Sequence, residues 1–181
     1  MDMYKLKFTK LQLEIFRLLC IKSGSALNKR QMAHLLNVSP TAVAKSLPRL
    51  QKAQFITYKK PKNLNLSQVR LNRDSRLAMQ LKRAENLRMI YESGIADFLE
   101  NKLPGATIIL FGSYSRGDDI ITSDIDIAIV GRPAEEVDLH EYEKKLEKRV
   151  TLNFYDSFKN IHKDLKESLC NGIVLVGGIG L

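Results

Sequence analysis

Apolar residues recur three and four positions apart early in the chain. Leu11, Ile15, Leu18 and Leu19 fall on one helical face, the spacing of a segment that packs on one side only. Thr9 precedes this run and Gln12 follows it by three, a reciprocal capping pair. Ser23-Gly24-Ser25 closes the segment. A second short helix is predicted from Asn28, with Gln31 three residues on, through Met32, Leu35 and Leu36 to a tight turn at Asn37-Val38. Ser39 then caps a third, with Pro40 at the first position, where a missing N–H does no harm. This helix runs through Thr41, Val43, Ala44, Leu47 and Leu50, leaving Lys45, Arg49 and Lys52 to solvent, and Pro48 is expected to kink it. The pattern then shortens to strands, Phe55 to Tyr58 and Ser67 to Leu71, joined by the basic turn Lys59-Lys60-Pro61-Lys62-Asn63.

From Asp74 to Leu103 the chain again reads as helix, interrupted at Gly94 and ended by Pro104-Gly105. Leu87, Ile90, Tyr91, Ile95, Phe98 and Leu99 form its apolar stripe, a packing surface. Thr107 to Phe111 is a continuous β-branched and apolar run, the mark of a buried strand. It leads straight into Gly112-Ser113, where a helix is expected to begin, and a second strand follows over Ser123 to Val130. A later strand is predicted over Arg149 to Tyr155. These elements predict an α+β protein in three parts: residues 1–72 with three helices and a hairpin, a helical connector over 73–103, and a sheet with flanking helices over 104–181.

Charge sharpens the division. Residues 1–70 hold 14 Lys/Arg against 2 Asp/Glu, a net of +12, whereas residues 71–181 hold 15 against 18, a net of −3. Such a basic first part is the electrostatic footprint of a nucleic-acid-binding module. The remaining composition, 44% hydrophobic and 27% charged, is ordinary for a globular chain. No run reaches the roughly 18 apolar residues that span a bilayer, and no secretory leader is visible, so a cytoplasmic protein without a membrane partner is expected. Cys20 and Cys170 lie far apart among apolar neighbours and read as buried small hydrophobes. His34, His140 and His162 show no zinc-ligand spacing.

Three short helices followed by a hairpin with a basic tip resemble the winged-helix domain of transcription regulators. The segment Leu27 to Leu50 carries the resemblance, above all Met32-Ala33-His34-Leu35-Leu36-Asn37-Val38-Ser39. It implies DNA as partner. The third helix would lie in the major groove through Thr41, Lys45 and Arg49, and the wing lysines Lys59, Lys60 and Lys62 would reach phosphates. Gln54 stands where such domains often have glycine. The connector helices imply a possible homodimer.

The chemistry lies in the last part. Residues two apart in a strand share a face, so Asp124 and Asp126 project side by side while Ile125, Ile127 and Ile129 face the core. Adjacent carboxylates repel unless a cation neutralises them, and Mg²⁺ favours carboxylate oxygens together with substrate phosphates. Gly112 permits close backbone approach, Ser113 offers an N–H and a hydroxyl to phosphate oxygens, and Arg116 offers positive charge. Strand, Gly-Ser, helix, Asp-x-Asp and strand in this order resemble the DNA polymerase beta-like nucleotidyltransferase superfamily, in particular its minimal members. The likeness spans Leu99 to Gly131, with Leu169 to Gly177 resembling the terminal apolar segment.

That resemblance implies a mixed sheet with flanking helices, Asp124 and Asp126 on Mg²⁺ or Mn²⁺, and Gly112 and Ser113 on an NTP. The implied reaction passes a nucleoside monophosphate to an acceptor hydroxyl. It also implies a third carboxylate on a later strand, but Thr151 and Asn153 occupy those positions and Asp156 is out of phase. Asn153 is a candidate neutral metal ligand and a poor base. The expectation is an Mg²⁺-dependent nucleotidyltransferase with a DNA-binding module. The alternatives are a DNA-binding regulator that has lost catalysis, and an antitoxin-like protein that acts on a protein partner.

Overall fold

The structure, a computed structural model, describes residues 8–59 and 67–179, so Lys60 and Lys62 of the expected wing lie outside the described residues. The chain divides into two compact units, Met1–Lys82 and Arg83–Leu181.

The first unit is a winged helix. α1 (Lys10–Ile21) carries the Thr9–Gln12 capping box and α2 (Lys29–Leu35) the Asn28–Gln31 box, each satisfying orphan N–H groups from both directions. Ser39 Oγ accepts from the Ala42 N–H to cap α3 (Pro40–Lys52). That helix is continuous across Pro48, so the expected kink does not break it. The proline sits on the exposed side of the helix. Val43, Leu47 and Leu50 turn inward to meet Ile15, Leu19 and Phe55 in one core. β1 (Ile56–Lys59) pairs antiparallel with β2 (Gln68–Leu71), Ile56 opposite Leu71. Between α3 and β1 the chain reverses at Gln54, whose φ of 60° is the left-handed conformation that glycine adopts without strain.

The connector is two helices, α4 (Arg76–Ser93) and α5 (Ile95–Lys102), broken at Gly94 with φ 80°. The second unit then builds a four-stranded mixed sheet. β3 (Thr107–Phe111) runs without a loop into the five-residue α6 (Gly112–Arg116), and β4 (Ile125–Val130) returns antiparallel to β3. After α7 (His140–Leu146), β5 (Val150–Tyr155) lies parallel to β4; after α8 (Lys163–Cys170), β6 (Ile173–Val176) lies antiparallel to β3. The spatial order is β5-β4-β3-β6.

Both faces of the sheet are covered. Ile108, Leu110, Ile125, Ile127 and Ile129 pack with Leu99, Leu103, Tyr114 and Leu146 on one side, and Ile109, Phe111, Ala128 and Val130 with Phe158, Ile161 and Leu169 on the other. Each fully buried Ile or Leu contributes about 1.5–3 kcal/mol through lost water contact. Cys20 is buried, but Cys170 is exposed, contrary to the sequence expectation: it ends α8 beside Leu169, which takes the inward position. No helix among the described residues is long and apolar enough to cross a membrane.

Candidate functional site

The second unit brings the glycine-serine turn and the acidic pair together. β3 and β4 are in register so that Phe111 lies opposite Asp126, and the chain bends sharply at the next residue, Gly112, with φ 72°. The bend sets the Gly112 backbone against the Asp126 carboxylate. A β-carbon built on Gly112 would stand 2.5 Å from Asp126 Oδ2. Glycine is required here twice, for its dihedral angle and for the space the carboxylate occupies. Ser113 follows, half-buried, in the first turn of α6, whose leading N–H groups have no partner within the helix.

Asp124 was expected inside the strand but lies one residue before β4, exposed, while Asp126 is half-buried within it. The Asp126 carboxyl is held above its ordinary pKa, first by burial and then by the negative charge of Asp124. Neither acid has a cationic partner among the described residues. Arg116 is exposed, and its Nε donates to Asp118 Oδ2 at 3.0 Å, so its charge is already engaged on its own loop.

The parallel register of β4 and β5 places Thr151 beside Asp126, Asn153 beside Ala128 and Tyr155 beside Val130. Paired residues share a face, so Thr151, Asn153 and Tyr155 form a row running from Asp126. The sequence reading singled out Asn153 and Thr151 but passed over Tyr155. Its phenol is raised in pKa by burial and, secondly, by the charge of Asp126. The period-two alternation from Thr151 to Tyr155 carries that signal. Among the described residues no group of three or more His, Cys, Asp or Glu side chains is placed to hold a metal ion; the acidic donors here are a pair.

The loop between α6 and β4 carries a second feature that sequence reasoning missed. Asp119 is buried, Asn86 Nδ2 donates to its Oδ1 at 2.7 Å, and Lys148 Nζ lies 3.5 Å from its Oδ2. Asn86 and Lys148 come from α4 and from the turn before β5, too distant in sequence for spacing to reveal.

On the first unit, Thr41, Lys45 and Arg49 occur every fourth residue along α3, all exposed and opposite the buried Val43, Leu47 and Leu50. The Arg49 guanidinium also stacks over Phe8, 5.9 Å from the ring centroid. Lys59 ends β1 exposed. A cleft of about 530 Å³ on the outer side of the hairpin is lined by Ser25, Thr57, Lys59, Gln68 and Arg70, among others. Arg70 went unnoticed in the sequence because it sits within a strand.

The chain thus carries a winged helix and a mixed sheet in which Asp126, next but one to Asp124, lies against a Gly-Ser turn. The family model of the nucleotidyltransferase domain matches residues 92–176, which include Gly112, Ser113, Asp124, Asp126, Thr151, Asn153 and Tyr155. Structural similarity is found to a zinc-responsive MarR family member, ZitR of Lactococcus lactis, at 20% identity over 56% of this chain and 67% of that one, TM-score 0.42. The adhesin competence repressor AdcR of Streptococcus pyogenes matches at 20% identity over 57% and 72%, TM-score 0.42. RV1404 of Mycobacterium tuberculosis matches at 21% over 54% and 63%, TM-score 0.38. A search of curated protein sequences gives no significant match.

Proposed function

We propose that this protein is an Mg²⁺-dependent nucleotidyltransferase-type protein whose winged helix binds DNA. The NTP triphosphate would lie on Gly112 and Ser113, and Asp124 and Asp126 would hold Mg²⁺ or Mn²⁺, with the Asn153 amide oxygen as a neutral ligand. The reaction class is transfer of a nucleoside monophosphate from the NTP to an acceptor hydroxyl. One observation carries the reading: the Asp126 carboxylate rests against the Gly112 backbone, with Asp124 close enough to raise its pKa. A half-buried carboxylate with an exposed one beside it, neither with a cationic partner among the described residues, fits a hard divalent cation. When bound, that cation would neutralise the acids and draw in phosphate oxygens.

The DNA assignment rests on charge and shape. Residues 1–70 carry a net +12, and α3 presents Thr41, Lys45 and Arg49 to solvent on a rigid helix. Lys59, together with Lys60 and Lys62 of the wing, would contact the backbone.

Thermal denaturation with Mg²⁺ and ATP tests the site. A ligand at about 100 times its Kd stabilises by about 2.7 kcal/mol, a rise of several degrees, and Asp124→Asn with Asp126→Asn should abolish it. Absence of any shift with each of the four NTPs would refute the reading. Thr151 and Asn153 along the Asp126 row favour a second reading, in which the domain binds Mg²⁺·NTP as a signal to a DNA-binding regulator without turnover. Incubation with α-labelled NTP and Mn²⁺ separates the two: label fixed to an acceptor supports transfer, while a thermal shift without label supports sensing.

A further inference from the structure

Lys148 is a buried lysine that no part of the proposed chemistry uses. It follows Glu147, whose φ of 52° is a left-handed conformation that a non-glycine residue holds only against strain. From that turn the side chain runs inward and is almost fully covered. An ammonium has three donors. Here one goes to the Ile120 carbonyl at 2.6 Å and one to the Ser123 carbonyl at 3.1 Å, with Asp119 Oδ2 at 3.5 Å. Asn86 then ties the other oxygen of Asp119 to the α6 segment, donating to Asp119 Oδ1 at 2.7 Å and to the Tyr114 carbonyl at 2.9 Å.

The outcome is a clamp on Asp124. Ser123, immediately before it, is held through its carbonyl by Lys148, and Ile125, immediately after it, donates its N–H to the Arg149 carbonyl at 2.9 Å. The peptide groups flanking Asp124 are thus fixed by two consecutive residues of the turn before β5. The loop is further tightened by Ile120 N–H donating to Ser123 Oγ at 3.0 Å and Ser123 N–H to the Ile120 carbonyl at 2.9 Å. Through Asp119 and Asn86 the same network reaches the carbonyl of Tyr114, one residue beyond Ser113.

We infer that Lys148, acting with Asp119 and Asn86, is a positioning residue that sets Asp124 for the cation and locks it to the Gly112-Ser113 turn. The inference rests on the Mg²⁺·NTP reading of the site. Burying an ammonium carries a desolvation penalty unless each proton is satisfied, and here the atoms that satisfy it belong to the loop leading into Asp124.

The test measures Mn²⁺·ATP binding by titration calorimetry on the full chain, alongside apo melting temperature. Lys148→Met should weaken binding roughly 10- to 100-fold, the effect of removing groups that orient a metal ligand, and Lys148→Arg should recover part of the loss. Introduced into an Asp124→Asn background, Lys148→Met should change affinity by less than about twofold, because both substitutions remove the same contribution. Equal affinity in wild type and Lys148→Met, or full additivity with Asp124→Asn, overturns the inference even if the melting temperature falls. Should Lys148→Met fail to fold, Asn86→Ser, which removes only the amide bridge, must weaken Mn²⁺·ATP in the same non-additive way. Wild-type protein that binds no Mn²⁺·ATP would instead sink the underlying reading of the site, and this inference with it.

Discussion

Replacing Gly112 with alanine perturbs the site through two separable effects, each with a size set by the geometry. The first is backbone strain: φ at Gly112 is 72°, and an L-residue in that region costs about 1–2 kcal/mol. The second is collision. The new β-carbon would stand 2.5 Å from Asp126 Oδ2 and 3.3 Å from its Cγ, whereas carbon–oxygen contacts settle at about 3.3 Å, so the carboxylate must retreat by about 0.8 Å. A displacement near 1 Å in a reacting constellation costs on the order of 100-fold in rate. Gly105→Ala is the matched control, since Gly105 has φ 81° and nothing within 4 Å of the added carbon. Both variants should lose melting temperature from strain, roughly 5–15 °C for a unit of about 100 residues. Only Gly112→Ala should also lose Mn²⁺·ATP affinity, by at least about tenfold. Equal nucleotide affinity in the two variants would refute the claim that Gly112 makes room for Asp126.

The pH dependence has a definite sign. Burial and Asp124 raise the Asp126 pKa, so the folded state keeps that proton to higher pH than the unfolded chain, and apo stability falls as pH climbs from the ordinary carboxylate range through the raised value. Asp126→Asn should flatten this part of a melting-temperature profile and stabilise apo protein at neutral pH; an unchanged profile contradicts the assignment. On the winged helix, Lys45→Ala and Lys59→Ala should each reduce the slope of log K against log salt by about 0.9 in DNA binding, and an unaltered slope would place the DNA elsewhere. Gln54→Gly should stabilise the first unit by about 1 kcal/mol by relieving the left-handed backbone at φ 60°. The bond from Asn72 Nδ2 survives, because it goes to the Gln54 carbonyl at 2.9 Å, and a fall in melting temperature would refute the strain.

The caps were legible because each is local: Thr9 with Gln12, Asn28 with Gln31 and Ser39 before Pro40 need only a few consecutive residues. The alternation of β4 was equally legible, and it assigned Ile125, Ile127 and Ile129 to the core. Alternation hid the burial of the other face, since Ala128 and Val130 lie beneath Phe158 and Leu169 from the C-terminal segment. The same limit explains Asp119. A carboxylate in a polar loop reads as solvated, and its partners Asn86 and Lys148 are 33 and 29 positions away. Arg116 reads as charge for the triphosphate, and its exposed pairing with Asp118 two residues on is a detail of the loop that spacing does not reveal. Cys170 misled because Leu169 and Cys170 look equally apolar, and only the helix phase decides which one is covered.

On the transfer reading, proton removal is the step for which the site is least equipped, and a last prediction follows. Thr151, beside Asp126 in register, carries a hydroxyl that does not ionise near neutral pH, and the Asn153 amide cannot take a proton. The Tyr155 phenol is displaced upward, so it keeps its proton at neutral pH and does not act as a base. Asp126 is the carboxylate at the head of this row, and a carboxylate occupied in holding a cation accepts a proton poorly. The acceptor hydroxyl must then lose its proton largely to solvent, and the rate of label transfer should keep rising with pH well above the carboxylate range. Thr151→Asp adds a base beside Asp126 and should turn that rise into a plateau while raising the rate roughly 10²-fold or more at neutral pH. A wild-type rate already flat from pH 6 upward would show that a base is present on another element, and the argument from this row of side chains would fail.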